Sequence, residues 1–130
     1  MAIHGIGTDI VSIARIGAAL ARHDERFARK VLADVELARC EALSEAARPA
    51  YVAKRFAAKE AFFKALGEVP SDANTWHQLA VINDAAGRPH LQCGLLLSQL
   101  LRDKHIVATH VTLSDEREHA VAFVTLEKES

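Results

Sequence analysis

Asp9 and Glu60 are two carboxylates set in stretches that are otherwise apolar, and their placement is the first sign of chemistry in this chain. Burying an unpaired carboxylate is costly, so each must face water, a proton donor or a cation. Asp9 stands in GIGTDIV, residues 5–11, and Glu60 in KRFAAKEAFFKALG, residues 54–67. Phe56, Glu60 and Lys64 are spaced four apart, which stacks them on one face of a helix. The plainest reading of Glu60 and Lys64 is a surface ion pair, glutamate first, contributing about 0.3–0.5 kcal/mol. A different chemistry follows if the segment carrying Asp9 packs beside that helix. Two converging carboxylates repel each other unless a proton or cation intervenes. A hard divalent ion held by two carboxylates, waters and phosphate oxygens is the usual Mg²⁺ arrangement. Lys64 would face the same phosphates, and the set would suit phosphoryl transfer, where positioning and electrostatics supply most of the catalysis.

The positioning elements follow from the flanking residues. Pro49 is suited to open the long helix and Gly67 to close it, while Ala53, Ala57 and Ala61 leave a narrow strip where another element can approach. Residues 2–11 read as a strand. Ile6, Thr8 and Ile10 point one way and Gly5, Gly7, Asp9 and Val11 the other, the glycines leaving room for a ligand or a second backbone. Asp9 could instead end the strand and cap the next helix, although Ser12 is the better cap.

Residues 13–22 form an amphipathic helix, and a second helix begins near Asp24. Arg15, Arg22, Arg26, Arg29 and Lys30 recur along this region against only Asp24 and Glu25. Such charges are by default a solvated surface; the alternative is a docking stripe for an acidic partner helix. A third helix is expected over 34–45, with Asp34 as its cap and Leu37, Cys40 and Ala47 inward. Lys54, Arg55 and Lys59 add positive charge to the long helix, to hold phosphates or to meet solvent. After a loop over 68–75, residues 76–83 and 89–93 read as a hairpin around the turn Asp84–Gly87. Leu95, Leu96, Leu97, Leu100 and Leu101 make the core face of a helix. The chain closes on a second hairpin, 107–114 and 120–127, with Val107, Thr109, Val111 and Leu113 inward. Helices and antiparallel strands are segregated, so an α+β fold in one domain, 1–130, is expected.

Composition narrows the function classes. The chain has 130 residues and a net charge of −1, which argues against a general nucleic-acid binder. Its two cysteines, Cys40 and Cys93, lack CxxC spacing and read as free thiols in a reducing compartment. No apolar run reaches membrane length and no signal peptide is evident, so a cytoplasmic protein is expected. GIG does not complete a dinucleotide-binding GxGxxG, and no Walker loop is present. Of the seven histidines, none stands in HxH or HExxH, which argues against zinc; His110 reads as a structural histidine.

GIGTDIV, RFAAKEAFFKALG, GRP at 87–89 and HVTLSDEREHAVAFV at 110–124 together resemble the holo-acyl-carrier-protein synthases, the small bacterial type of phosphopantetheinyl transferase. The resemblance runs through essentially the whole chain in order and spacing. It implies transfer of the phosphopantetheine arm of coenzyme A to a serine of apo acyl carrier protein, leaving adenosine 3′,5′-bisphosphate. It also implies homotrimers with active sites between neighbouring subunits. By the same resemblance Asp9 and Glu60 are Mg²⁺ ligands, and Lys64 contacts the reacting diphosphate. Either Glu60 or a metal-bound water takes the serine proton. Arg15, Arg22 and Arg26 grip the acidic carrier, Gly87, Arg88 and Pro89 lie near the adenylate end of the coenzyme, and Lys54, Arg55 and Lys59 contact phosphate. Two features depart from the pattern. GEVPSD, residues 67–72, replaces a glycine-rich loop, and Asp115 stands where many relatives carry histidine. A Mg²⁺-dependent hydrolase using the same two acids and a non-catalytic carrier-binding module are the competing readings.

Overall fold

A computed structural model of the chain describes residues 1–23, 25–68 and 74–130. Strand β1 (Ala2–Ser12) leads into helices α1 (Ile13–His23), α2 (Glu25–Val31) and α3 (Asp34–Glu41). A 3-10 turn (Glu45–Ala47) precedes the long helix α4 (Arg48–Leu66). A single helical turn, α5 (Asn74–His77), then gives way to β2 (Leu79–Asn83), β3 (Pro89–Cys93), α6 (Leu95–Asp103), β4 (Ile106–Asp115) and β5 (His119–Lys128). Strands β1, β5 and β4 form an antiparallel sheet with β5 in the middle, and β2 and β3 form a separate hairpin. The expected α+β architecture is therefore the one observed.

Helix α4 lies across one face of the three-stranded sheet, and its ends are where proline and glycine put them. Pro49 sits in the first turn, where its missing N–H is not needed. Gly67 adopts the left-handed conformation, φ 85°, and its N–H donates to the Phe63 carbonyl at 3.0 Å. Ala53, Ala57 and Ala61 are fully buried, so the small-residue strip does admit close neighbours. On β5, Ala120, Ala122, Val124 and Leu126 are fully buried, while Phe123 on the opposite face is exposed. Phe62, Leu66, Leu79, Val81 and Leu97 complete the core between helix, sheet and hairpin. A second cluster, built on Ile16, Val31, Cys40 and Val52, seats helices α1–α3 against the first half of α4.

Several expected details differ. Trp76 lies in the α5 turn, so the strand begins only at Leu79. The third helix stops at Glu41, which leaves Ala47 exposed in the 3-10 turn. Its N-cap is Ala33, whose N–H donates to the Glu36 carboxylate at 2.9 Å; Asp34 is already the first helical residue. Leu95 and Leu96 are 87% and 72% exposed, because only Leu97 and Leu101 of that helix turn fully inward. A register shift between Ile106 and Ala108 sends Ile106 to the core and Val107 outward. Both cysteines are free thiols, Cys40 buried and Cys93 half-buried. No helix among the described residues is long and apolar enough to cross a membrane.

Candidate active site

The site forms where β1 crosses α4. Gly5 and Gly7 are the contact residues on the strand. A Cβ on Gly5 would overlap the Ala65 carbonyl oxygen, and one on Gly7 would overlap that of Ala61. The room left by the glycines is thus filled by the α4 backbone. Asp9 is two residues beyond Gly7 on the same face of β1, and Glu60 immediately precedes Ala61. Ser12 then ends the strand and caps α1, its Oγ accepting from the Arg15 N–H at 3.3 Å, which leaves Asp9 free of a capping role.

Three sequence-predicted residues converge here. Lys64 Nζ donates to Asp9 Oδ1 at 3.3 Å and to the Thr8 carbonyl at 3.0 Å. Glu60 is half-buried. Its carboxyl is pushed above the ordinary glutamate range, first by burial and then by the negative charge of Asp9; Lys64 opposes the shift. An acid whose proton affinity is raised by burial and by a second carboxylate, with one ammonium beside them, makes a hard-oxygen site. Among the described residues no group of three or more His, Cys, Asp and Glu side chains gathers, so a cation here would draw its remaining ligands from water and substrate. The donor set fits a hard divalent ion and is unsuited to zinc.

The other predicted residues are distributed elsewhere. Arg15, Arg22 and Arg26 are exposed on α1 and α2, and no ion pair among the described residues uses them. Gly87, at φ 85°, and Arg88 are exposed in the β2–β3 turn. Asp84 Oδ1 organises that turn by accepting the Ala86 and Arg88 N–H groups at 2.9 Å each. No hydrogen bond among the described residues joins the turn to Asp9, Glu60 or Lys64. Of the departing loop GEVPSD, residues 69–72 lie outside the described residues, as does Asp24.

The three basic residues expected to meet phosphate behave differently from one another. Lys59 is fully buried and spends its three N–H groups on Glu36 Oε1 at 2.6 Å, the Val31 carbonyl at 2.7 Å and the Trp76 carbonyl at 3.1 Å. Burial lowers its proton affinity, and the Glu36 carboxylate partly restores it. It is a core ion pair, and the phosphate role is withdrawn. Arg55 is also buried, its guanidinium 4.0 Å over the Tyr51 ring, so it does not present an open phosphate contact. Lys54 is half-buried and lies 3.5 Å from Asp115 Oδ1. His110 is satisfied, with Nε2 2.7 Å from Glu127 Oε2. Sequence reasoning gave Glu36 no role, and no motif marks it, because the cap of α3 is Ala33 and lacks the hydroxyl of a capping box.

Comparison with known proteins agrees with this architecture. Residues 5–124 match the model of the 4′-phosphopantetheinyl transferase superfamily, and the chain belongs to that superfamily. It is similar to the holo-[acyl-carrier-protein] synthase of Thiobacillus denitrificans, with 46% identity over 97% of this chain and 95% of the relative. The synthase of Azoarcus sp. is 49% identical, over 96% and 98% of the two chains. Among solved structures, the synthase of Neisseria meningitidis superposes with a TM-score of 0.90 at 38% identity, covering 97% of this chain and 99% of that one. The Bacillus anthracis synthase, solved in complex with CoA (3′,5′-ADP), gives 0.79 at 32% identity, covering 99% of this chain and 100% of that one.

Proposed function

We propose that this chain is a holo-acyl-carrier-protein synthase, which moves the 4′-phosphopantetheine group of coenzyme A to a serine of apo acyl carrier protein. Membership of the superfamily supports the reaction class. The observation that carries the site assignment is the meeting of Asp9, Glu60 and Lys64 at the β1–α4 crossing.

In this reading Asp9 and Glu60 would hold Mg²⁺, which when bound would supply positive charge to offset that of the coenzyme A diphosphate. The serine oxygen forms a bond to the phosphorus next to the pantetheine arm, and the bond from that phosphorus to the bridging oxygen breaks. The serine proton passes to the Glu60 carboxylate or to a water of the site, and adenosine 3′,5′-bisphosphate departs with the bridging oxygen. Lys64 is held by Asp9 and the Thr8 carbonyl on the rim of the same site, and its ammonium faces the charge that develops on that oxygen. Arg15, Arg22 and Arg26 offer an exposed cationic stripe to the acidic carrier. The ordered turn at Gly87, Arg88 and Pro89 is the proposed contact for the adenylate end, with Lys54 at the edge of the phosphates.

The apolar outer face of the sheet supports self-association; a homotrimer is the proposed state and the cytoplasm the proposed compartment. Ile6 and Ile10 are 60% and 64% exposed there, beside Phe123. The test is mass spectrometry of apo carrier protein after incubation with coenzyme A, Mg²⁺ and this protein. A mass gain equal to the phosphopantetheine arm is expected. Release of adenosine bisphosphate without carrier would instead indicate a hydrolase, and binding without mass gain a non-catalytic module.

A further inference from the structure

Lys59 adjoins Glu60 in sequence, yet its side chain enters the core and takes no part in the transfer just described. Its three donors reach three different elements: the Val31 carbonyl that ends α2, the Trp76 carbonyl in α5, and Glu36 on α3. Glu36, 1% exposed, accepts in turn from the Ala33 N–H at 2.9 Å and from the Val81 N–H of β2 at 2.8 Å. Five elements therefore meet at one ion pair. Stability alone is a poor explanation for it. A buried pair loses much of its Coulombic gain to desolvation, and the charges themselves can often be replaced by an apolar pair of similar volume at little cost. What an apolar pair cannot supply is direction, because each of these hydrogen bonds fixes one backbone group against α4.

We infer that Glu36 and Lys59 are a positioning pair that sets both substrate surfaces in register with Glu60. The inference rests on the transferase reading above. Helix α2 carries Arg26 of the carrier stripe, and its last carbonyl is bound by Lys59. Strand β2 leads to the turn at Gly87–Pro89, and its Val81 N–H is bound by Glu36. The Trp76 ring lies 5.4 Å from Phe56 and 6.0 Å from Phe63, so the α5 turn also rests on α4 on either side of Glu60. On its other side α4 is held by β1 through Gly5 and Gly7, which brings in Asp9. Carrier stripe, coenzyme turn and acid pair thus share α4 as a common reference.

The test compares Lys59→Met with the double variant Glu36→Leu, Lys59→Met. The single variant leaves a buried carboxylate without its cation and is expected to melt far below the wild type. The double variant removes the unpaired charge and is expected to melt above the single variant, though below the wild type because four backbone groups lose their partners, and to show KM values for carrier and for coenzyme A each raised about ten-fold or more, with a smaller change in kcat. A double variant with wild-type KM for both substrates would overturn the proposal. Should the double variant not fold, hydrogen exchange on the wild type decides: either substrate is expected to slow exchange of the Ala33 and Val81 amides several-fold, and unchanged exchange overturns the coupling. Wild-type protein that never modifies carrier defeats the transferase reading and this inference with it; wild-type transfer alongside an unaffected double variant defeats the pair alone.

Discussion

Lys64 is bonded across to Asp9, at 3.3 Å, and not back to Glu60 one turn earlier on its own helix. The surface ion pair that their spacing suggests is thereby displaced by a contact between two elements, β1 and α4. The lysine is 55% exposed and the aspartate 18%, so the pair spans the rim of the site. At that exposure its contribution to folding is under about 1 kcal/mol. Lys64→Met is therefore expected to leave the melting temperature nearly unchanged while lowering kcat about 100-fold, the scale of losing one preorganised electrostatic contact. Steady-state transfer kinetics beside a thermal melt measure both; unchanged kcat would remove Lys64 from the chemistry.

Glu60 carries the matching prediction in pH. Its carboxyl is held above the ordinary glutamate range by burial and by Asp9. Between the ordinary value and the raised one, the native protein keeps a proton that the unfolded chain has released. Stability of the metal-free protein therefore falls as pH rises through that window. Glu60→Gln should flatten that part of the profile of melting temperature against pH and abolish transfer. A variant with the wild-type slope would show that Glu60 is not the group titrating in that window.

The contact that creates the site is tested at Gly7. A Cβ there would overlap the Ala61 carbonyl oxygen and come within 2.8 Å of the Ala65 nitrogen, both backbone atoms that cannot swing aside. Gly7→Ala is expected to cost about 1–3 kcal/mol and to lose transfer activity, because α4 must move away from β1 and take Glu60 with it. Gly17→Ala is the control, since its Cβ would meet only the Pro49 ring at 3.6 Å, an ordinary contact. Equal melting temperatures for the two variants would contradict the close packing described.

These three sites also mark what could be read from residue types. Proline and glycine constrain the backbone wherever they stand, so the ends of α4 at Pro49 and Gly67 and the close approach at Gly5 and Gly7 were legible. So was Asp9, because a carboxylate among glycines and β-branched residues has no structural reason to be there. Lys59 was not legible. A lysine on a helix defaults to solvent, and the acid that draws it inward lies 23 residues earlier on another element. Arg55 was also expected to meet phosphate or solvent, yet it is buried with its guanidinium over Tyr51, one turn earlier on the same helix. Leu95, Leu96 and Val107 failed differently: an apolar side chain implies a core only once register is known, and a one-residue shift at Ile106 reversed the face of Val107.

Arg15 and Arg22 supply the remaining prediction. They are seven residues apart on α1, both exposed, and no ion pair among the described residues ties either of them down. A stripe of this kind attracts an acidic partner through charges that salt can screen, with a Debye length near 10 Å at 0.1 M. Reversing both, Arg15→Glu with Arg22→Glu, should raise KM for the carrier at least ten-fold at low ionic strength and by much less near 1 M salt. KM for coenzyme A and the melting temperature should stay near wild type, because neither side chain enters the core. A KM for carrier that is unaltered at every ionic strength would reduce the stripe to ordinary solvated surface, and the carrier would then have to dock on a face other than the one α1 and α2 present.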